Sequence, residues 1–285
     1  DDANGLKQMQ RANAGDFVEG SAVALGGDLR PSTPRIMRAC VAAVRHVGGI
    51  PLLCGHVPTP ALALHAFARR IPSLMVTGSH IPDDRNGIKF NRPAGEVLKS
   101  DEAGIRAQTV EQPDAATRSL IDVNTPVIDP ILQADVFAVY ERRYIDVWGA
   151  TALRGMRIGV YQHSAVGRDS LTRLMRGLGA DVVALGRSEQ FIPVDTEAIR
   201  AEDVELAQRW ALQYHLDAIV STDGDSDRPL LADEQGNWLR GDVLGVLCAR
   251  ALGAQYVVTP VSSNTALEKA GWFAATSRTK IGSPY

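Results

Sequence analysis

Residues 76–90 read VTGSHIPDDRNGIKF, a polar and turn-rich loop that directly follows an apolar run. Pro82 stiffens this loop and Asn86-Gly87 is a strong turn signal, so the loop is expected to be fixed at both ends. A fixed loop holds Ser79 and Lys89 in a constant relation. A serine hydroxyl becomes an effective nucleophile when a proton donor or acceptor lies beside it. From these residues alone, the stretch is either a catalytic loop or a structural turn with an incidental serine.

Strands and helices are predicted to alternate on both sides of this loop. Apolar runs predict strands, and apolar positions at helical spacing predict helices. The first unit is predicted to have strands at residues 21–25, 50–54 and 74–76, with helices from Thr33 to Gly48 and at residues 60–70. The second unit is predicted to have strands at residues 157–161, 181–184, 218–220 and 229–232, with helices at residues 168–178, 196–214 and 241–252. The similar order of elements suggests an internal duplication.

This alternation predicts the fold class and the domain boundaries. Continuous apolar strands with helical connections favour an α/β, multi-domain chain of mainly parallel mixed sheets covered by helices. Ligands of such sheets collect at the carboxyl ends of the strands, where the loop at residues 76–90 falls. The expected domains are residues 1–148, with a mostly helical stretch from residue 101 onward, residues 149–252, and residues 253–285 as the start of a third domain.

A second polar loop, TDGDSDR at residues 222–228, follows another apolar run. Asp223, Asp225 and Asp227 alternate with small residues, so three hard oxygen ligands can converge on one divalent cation. Mg²⁺ prefers such incomplete carboxylate sites and completes its shell with water or phosphate oxygen. A calcium loop is disfavoured because Arg228 stands where that loop needs glycine. Without context, a solvated turn is an equally good interpretation.

Composition narrows the classes of partner. A formal net charge of -3 gives no basic field, so nucleic acid and anionic membranes are not expected as partners. Cys40, Cys54 and Cys248 lack metal-ligand spacing and are predicted to be buried, reduced thiols. No signal-peptide pattern and no apolar window of membrane-spanning length is found, so a cytoplasmic protein is expected. Because no initiating Met is present, we expect the chain to begin inside a longer one.

Together, the two loops closely resemble the serine loop and the metal loop of the α-D-phosphohexomutases, the phosphomannomutase/phosphoglucomutase family. The first loop has every named position of the family pattern Thr-x-Ser-His-x-Pro…Asn-Gly-x-Lys, and the second matches Asp-Gly-Asp-x-Asp-Arg. This resemblance covers most of the chain. It implies a phosphohexomutase that interconverts the 1- and 6-phosphates of a hexose, mannose or glucose, in an active cleft between domains. A hexose bisphosphate would be its intermediate and activator.

The same resemblance implies a role for each matching residue. Ser79 would carry the phosphoryl group, and His80 and Lys89 would assist proton transfer. One Mg²⁺ ion would be held by Ser79, through its phosphate, and by the three aspartates of the second loop. Arg228 would lie near the transferring phosphoryl group, to which its guanidinium can form two parallel bonds. Arg30, in the signature GDLRPS, is expected either to bind substrate phosphate or to form a structural ion pair, with equal weight.

Two further segments are weaker candidates. The loop at residues 162–169 could offer backbone N–H groups to an anion, but a plain strand-to-helix connection is the favoured interpretation. The basic segment at residues 278–280 is expected to be a solvated edge strand.

The sequence also departs from the family pattern. No segment before Ser21 resembles the family's Gly-Thr-Ser-Gly-x-Arg-Gly strand, and neither the sugar-recognition loop Gly-Glu-x-Ser-Gly-His nor a fourth domain is found. We therefore expect a fragment that binds Mg²⁺ but isomerises sugars poorly. The preferred sugar stays open, phosphoglucosamine included, and so does the choice between monomer and homodimer.

Two other functions remain open at this point. A haloacid-dehalogenase-like phosphatase would use Asp223 as nucleophile and Asp225 as acid, because an apolar strand ending in Asp-x-Asp is also typical of that class. A non-catalytic protein that binds sugar phosphates would show neither turnover nor phosphoserine.

Overall fold

The computed structural model describes residues 20–107 and 133–281. Its first unit contains a sheet of five strands, and the second unit contains another. In the first unit the elements are β1 (Ala22–Gly27), α1 (Thr33–His46), β2 (Ile50–His56), α2 (Thr59–Arg69), β3 (Ser73–Val76), β4 (Ile88–Arg92), β5 (Gly95–Glu96), α3 (Lys99–Arg106) and α4 (Gln133–Trp148). Most of the part of the predicted helical stretch that falls between α3 and α4 lies outside the described residues.

The remaining elements form the second unit and a small third one. The second unit has β6 (Arg157–Tyr161), α5 (Arg168–Gly177), β7 (Asp181–Leu185), α6 (Ala201–Tyr214), β8 (Ala218–Thr222), β9 (Pro229–Ala232), β10 (Trp238–Leu239) and α7 (Gly241–Ala251). After it come β11 (Tyr256–Pro260), α8 (Ala266–Lys269) and β12 (Ala275–Thr279), with β11 parallel to β12. No helix in the described ranges is both long enough and apolar enough to cross a bilayer.

The two large sheets have the same topology. Their strand orders are β2-β1-β3-β4-β5 and β7-β6-β8-β9-β10. In each sheet the first strand pairs in parallel with the second and third, and the third and fourth pair in antiparallel fashion. The α/β class with mixed sheets is therefore confirmed, and the shared topology supports the predicted duplication.

Alternation along the strands packs helices on both faces of the first sheet. Val23 and Leu25 of β1 face α1, whose apolar positions include Met37 and Val44. Ala24, between them, faces the opposite way and packs against α2 and α4. Successive side chains of a strand point to opposite faces, so a strand of continuous apolar residues can be buried on both sides.

Two predictions need correction. Cys40 and Cys54 are buried, but Cys248 is exposed, because it lies on a face of α7 that no described element covers. The helix predicted at 196–214 begins only at Ala201, and the residues before it form a loop.

Candidate active site

The serine loop (residues 77–87) connects β3 to β4 and is closed at its base. Thr77 and Gly87 exchange backbone hydrogen bonds of 3.0 and 3.1 Å. Within the loop, the N–H of Ser79 donates to Oγ1 of Thr77 at 2.8 Å, and that hydroxyl donates to Oδ2 of Asp28 at 2.8 Å. Ser79 itself has φ of 54°, in the left-handed region that non-glycine residues seldom adopt. The loop therefore holds Ser79 in a strained conformation, which is common at functional sites.

Arg30 is the internal support of this loop. It is 1% exposed, and its guanidinium donates to Asp28 Oδ2 (3.1 Å) and to four loop carbonyls, those of Ser79 (2.8 Å), Ile81 (2.6 Å), Pro82 (2.6 Å) and Arg85 (3.1 Å). A guanidinium has five N–H donors, and all five are used here. Of the two expected roles for Arg30, the geometry favours the structural ion pair with Asp28, because no N–H remains for a substrate phosphate.

The close approach of Arg30 explains the glycine before the serine. A Cβ at Gly78 would lie 2.7 Å from Cζ of Arg30, well inside van der Waals contact. The guanidinium also stacks on the ring of Phe191 from the second unit, with 4.3 Å between Cζ and the ring centroid. Arg30 thus contacts both units directly behind the serine loop.

The metal loop (residues 222–228) occupies the equivalent place in the second unit, where it connects β8 to β9. The preceding loop of that unit holds it in place. Val166 N–H donates to the carbonyl of Gly224 at 2.9 Å, and Gly167 N–H donates to Oγ of Ser226 at 3.0 Å. These N–H groups, which could have bound an anion, are thus engaged by the metal loop, in agreement with the structural interpretation of residues 162–169.

The two loops meet across the boundary between the units. The hydroxyl of Ser79 donates to Oδ2 of Asp223 at 2.7 Å, and Lys89 Nζ donates to Oδ2 of Asp225 and of Asp227, both at 2.7 Å. One carboxylate oxygen from each aspartate lies within 4.8 Å of the others. The site therefore brings together a hydroxyl group, an ammonium group and three carboxylates.

Burial and the neighbouring charges shift the pKa values of the groups in this cluster. Burial, followed by the charge of Asp225, raises the pKa of Asp223 to about 7, against the opposing hydrogen bond from Ser79. Burial also acts to raise the pKa of Asp225, but the charge and hydrogen bond of Lys89 outweigh it, and that pKa is lowered. Burial acts to lower the pKa of Lys89, but the charge of Asp225 outweighs it, and that pKa is raised. One ammonium group only partly compensates three carboxylates, so a further cation would stabilise the cluster.

A divalent metal ion fits these residues. Oδ1 of Asp225 is buried and has no hydrogen-bond partner among the described residues, which is a costly arrangement for a carboxylate oxygen. Three carboxylates with one oxygen left free form the hard, incomplete oxygen site that Mg²⁺ takes in proteins. The predicted cluster of acidic ligands is thus present in the structure.

His80 and Arg228 lie together on the exposed side of the cluster. Nη1 of Arg228 is 3.2 Å from Nδ1 of His80 and 2.9 Å from Oε1 of Glu197. The described contacts therefore join His80 to Arg228, and Lys89 to the aspartates, rather than either residue to Ser79. Beside Lys89, Asp227 and Arg228 opens a cavity of about 570 Å³, a size suited to a small polar ligand.

Sequence reasoning missed two residues that touch the site. Glu197 contacts Arg228 from a loop without any motif, so no sequence signal marked it. Thr59, at the start of α2, donates its hydroxyl to Oδ2 of Asp225 at 2.5 Å. A signal for Thr59 was available, because it follows the carboxyl end of β2, the same edge from which the serine loop leaves. The basic segment near the end is not part of the site: Arg278 pairs with Glu268 at 2.7 Å.

Comparison with known proteins agrees with the fold and the site. The site consists of a hydroxyl group on one α/β unit that faces a carboxylate cluster on a second α/β unit. Residues 6–115 match the family model of phosphoglucomutase/phosphomannomutase alpha/beta/alpha domain I, and residues 138–236 match that of domain II. The chain belongs to the phosphoglucomutase/phosphomannomutase family, the α-D-phosphohexomutases.

Curated relatives and a solved structure carry the likeness over most of the chain. A phosphomannomutase of Salmonella muenchen is 45% identical over 93% of this chain and 53% of its own. A phosphomannomutase of Sinorhizobium fredii is 46% identical over 95% of this chain and 56% of its own. A phosphoglucomutase/phosphomannomutase family protein of Burkholderia thailandensis has the same fold, with a TM-score of 0.76 and 20% identity over 98% of this chain and 61% of its own. The chain thus spans about half the length of these curated relatives.

Proposed function

We propose that the protein is a phosphohexomutase that interconverts hexose 1-phosphate and hexose 6-phosphate through a phosphoserine at Ser79 and a hexose bisphosphate intermediate. The observation that carries this proposal is the 2.7 Å hydrogen bond from Ser79 Oγ to Asp223, made across two domains inside a carboxylate cluster. Membership of the family supports it. We propose mannose as the first sugar to test and glucose as the second, because both curated relatives described above are named phosphomannomutases.

The reaction consists of two phosphoryl transfers. In the first, the bond between Ser79 Oγ and phosphorus breaks while a sugar hydroxyl bonds to that phosphorus and gives up its proton, and the freed Ser79 Oγ takes up a proton. In the second, the hydroxyl of Ser79 gives up its proton and bonds to the phosphorus of the other phosphate, and the sugar oxygen released from that phosphate takes up a proton. His80 and Lys89 are the proposed proton carriers. Since no covalent catalyst beyond the serine is needed, positioning and charge neutralisation provide most of the rate.

The proposed metal ligands are Asp223, Asp225 and Asp227, completed by a phosphate oxygen on Ser79. Mg²⁺ bound there would neutralise charge on the phosphoryl oxygens. Removal of the Ser79 proton on phosphorylation would end its hydrogen bond to Asp223 and leave two anionic groups facing each other. Lys89 pairs with Asp225 and Asp227 and so already compensates part of the negative charge of the site.

Arg228 is the proposed phosphate ligand, and its present partners suggest how it is kept ready. Its side chain is 38% exposed and pairs with Glu197, whose side chain is 75% exposed. Exposed ion pairs contribute little, on the order of 1 kcal/mol or less, so a doubly charged phosphate can replace Glu197 readily. Arg30 is not a phosphate ligand in this proposal.

The proposal keeps the remaining expectations. The domains are residues 1–148, 149–252 and 253–285, the last the start of a sugar-binding domain. The protein is cytoplasmic, a monomer or a homodimer, takes hexose phosphates as its ligands, and is primed by a hexose bisphosphate that places a phosphoryl group on Ser79.

Phosphopeptide mass spectrometry of the full-length natural protein tests this function. The protein is analysed before and after incubation with mannose 1,6-bisphosphate and Mg²⁺, and again after addition of mannose 1-phosphate. We expect phosphate on Ser79 that is lost to the added monophosphate, and no labelling in Ser79→Ala. Phosphate on Asp223 would instead support the dehalogenase-like phosphatase. Binding of sugar phosphate with no phosphoserine under any condition would support the non-catalytic protein.

A further inference from the structure

Thr59 joins the first domain to the metal loop by two hydrogen bonds to one residue. It is the first residue of α2 and follows the carboxyl end of β2. Its backbone N–H donates to the carbonyl of Asp225 at 2.9 Å, and its hydroxyl donates to Oδ2 of the same residue at 2.5 Å. Because both the backbone and the side chain of Asp225 are held, rotation of that carboxylate is restricted.

The restriction decides which oxygen of Asp225 is left for a metal ion. Oδ2 accepts from Thr59 and also from Lys89, the latter at 2.7 Å. Oδ1 is buried, and the structure gives it no partner among the described residues. The Asp225 carboxylate is fully buried, and one of its oxygens accepts two hydrogen bonds while the other accepts none from the described residues. Such an arrangement is costly unless a cation lies beside the unpaired oxygen.

We infer that Thr59 is a positioning residue for the metal ion, because its hydroxyl holds Oδ2 and thereby turns Oδ1 of Asp225 toward the cation. This inference rests on the proposed metal site. Threonine suits the task, since branching at Cβ restricts the rotation of its side chain. The N-terminal end of α2 also carries partial positive charge, which favours a carboxylate at this place.

A purely structural role is the competing explanation, because Thr59 also helps to join the two domains. The two roles differ in what they change. A structural contact affects the stability of the protein without metal, whereas a positioning hydroxyl affects metal affinity. Loss of an outer-shell partner of a metal ligand costs about 10- to 100-fold in metal affinity.

The test measures Mn²⁺ binding to the full-length natural protein by electron paramagnetic resonance, followed by displacement with Mg²⁺; both ions take carboxylate oxygens. Thr59→Val removes the hydroxyl at nearly constant volume, and Thr59→Ser keeps it. If Thr59→Val does not give folded protein by circular dichroism, Thr59→Ala replaces it. The matched control is Thr172→Val, which removes another buried threonine hydroxyl, one that donates to the carbonyl of Arg168 at 2.7 Å within α5.

We expect Thr59→Val to weaken binding of both ions about 10- to 100-fold. Thr59→Ser should keep most of the metal affinity. Thr172→Val should lower the melting temperature without changing the metal affinity. Wild-type affinity in Thr59→Val would overturn the inference and leave the proposed metal site intact. Equal weakening in Thr59→Ser and Thr59→Val would also overturn it, because the hydroxyl that Thr59→Ser keeps would then not preserve the metal affinity. Failure of the wild-type protein to bind Mn²⁺ would overturn both the inference and the metal site.

Discussion

Replacing Arg30 by methionine should disrupt the serine loop while leaving the side chain of every proposed ligand of the metal or the substrate unchanged. Arg30 donates five hydrogen bonds from a buried guanidinium, four of them to loop carbonyls between residues 79 and 85. Removing one partner of a buried ion pair costs about 3–5 kcal/mol. Asp28 keeps donors from the hydroxyls of Thr33 and Thr77, so we expect about 3 kcal/mol, the lower end of that range.

Arg30→Lys gives a graded result. Lysine keeps the positive charge but has three N–H donors in place of five, so at least two of the five acceptors, four loop carbonyls and the Asp28 carboxylate, lose their partner. A hydrogen bond to a charged group contributes about 1.5–3 kcal/mol. We therefore expect Arg30→Lys to be destabilised by about 2 kcal/mol or more, with the proposed mutase activity reduced through kcat because Ser79 is no longer held in place.

The assay is urea unfolding, monitored both by tryptophan fluorescence and by circular dichroism. Three of the four tryptophans, at positions 210, 238 and 272, lie beyond the first domain, and Trp148 is its last residue, so fluorescence reports mainly on the later domains. Circular dichroism reports on all domains, including the first. We expect the circular dichroism midpoint of the first domain to fall by more than about 1 M urea, while the fluorescence midpoint of the second domain shifts less. Arg106→Met is the control, because the ion pair that Arg106 makes among the described residues is the exposed one with Glu102, and its loss should change stability by less than about 0.5 kcal/mol.

Either of two results would refute this reasoning. If Arg30→Lys kept wild-type stability and kcat but raised KM for the hexose phosphate, Arg30 would be a phosphate ligand, and its five contacts would not be the resting arrangement. Unchanged stability in Arg30→Met would refute the structural role directly.

Three further predictions use the same contacts. Gly78→Ala should destabilise the first domain by about 1–3 kcal/mol, because the new Cβ would lie 2.7 Å from Cζ of Arg30; an unchanged urea midpoint would contradict it. Burial lowers the pKa of His163 from 6.5 to about 4, so the unfolded chain binds its proton first, and the protein should lose up to about 3 kcal/mol as pH falls from 6.5 to 4. Urea midpoints across that range should lose this slope in His163→Gln. Because the pKa of Asp223 is raised to about 7, Mg²⁺ binding should release close to one proton per ion at pH 6 and few at pH 8. Calorimetry in buffers of different ionisation enthalpy counts these protons, and heats independent of buffer would disprove the coupling.

Much of the fold followed from the sequence because the signals are local. Apolar runs and helical spacing predicted α1, which begins at Thr33 as predicted and ends at His46, two residues before the predicted end at Gly48. The start of α6 was placed five residues too early, because acidic and polar residues near 196 are equally compatible with a loop. The exposure of Cys248 could not be predicted either, since the covered face of a helix depends on its neighbours rather than on its own residues.

Most residues of the candidate site were predicted, but the long-range hydrogen bonds between them were not. Both loops were found because their residue types and spacing are distinctive. The ion pair of Arg30 with Asp28 is local and was one of the two expectations. Its four bonds to the serine loop join residues 49 to 55 positions apart, and the bond from Thr59 to Asp225 spans 166 positions. No spacing rule reaches so far, because these contacts depend on how two domains face each other.

The shared topology of the two sheets explains why the site lies where it does. The serine loop joins the third strand of the first sheet to the fourth, and the metal loop joins the third strand of the second sheet to the fourth. One repeated connection has thus become a hydroxyl donor in one domain and a carboxylate cluster in the other. Neither loop is a complete site, since Ser79 needs Asp223 and the aspartates need Lys89. A Cβ at Gly224 would lie 3.0 Å from the carbonyl oxygen of Ser79, so the loops are in direct backbone contact. The chemistry therefore depends on the contact between the two domains as much as on either loop.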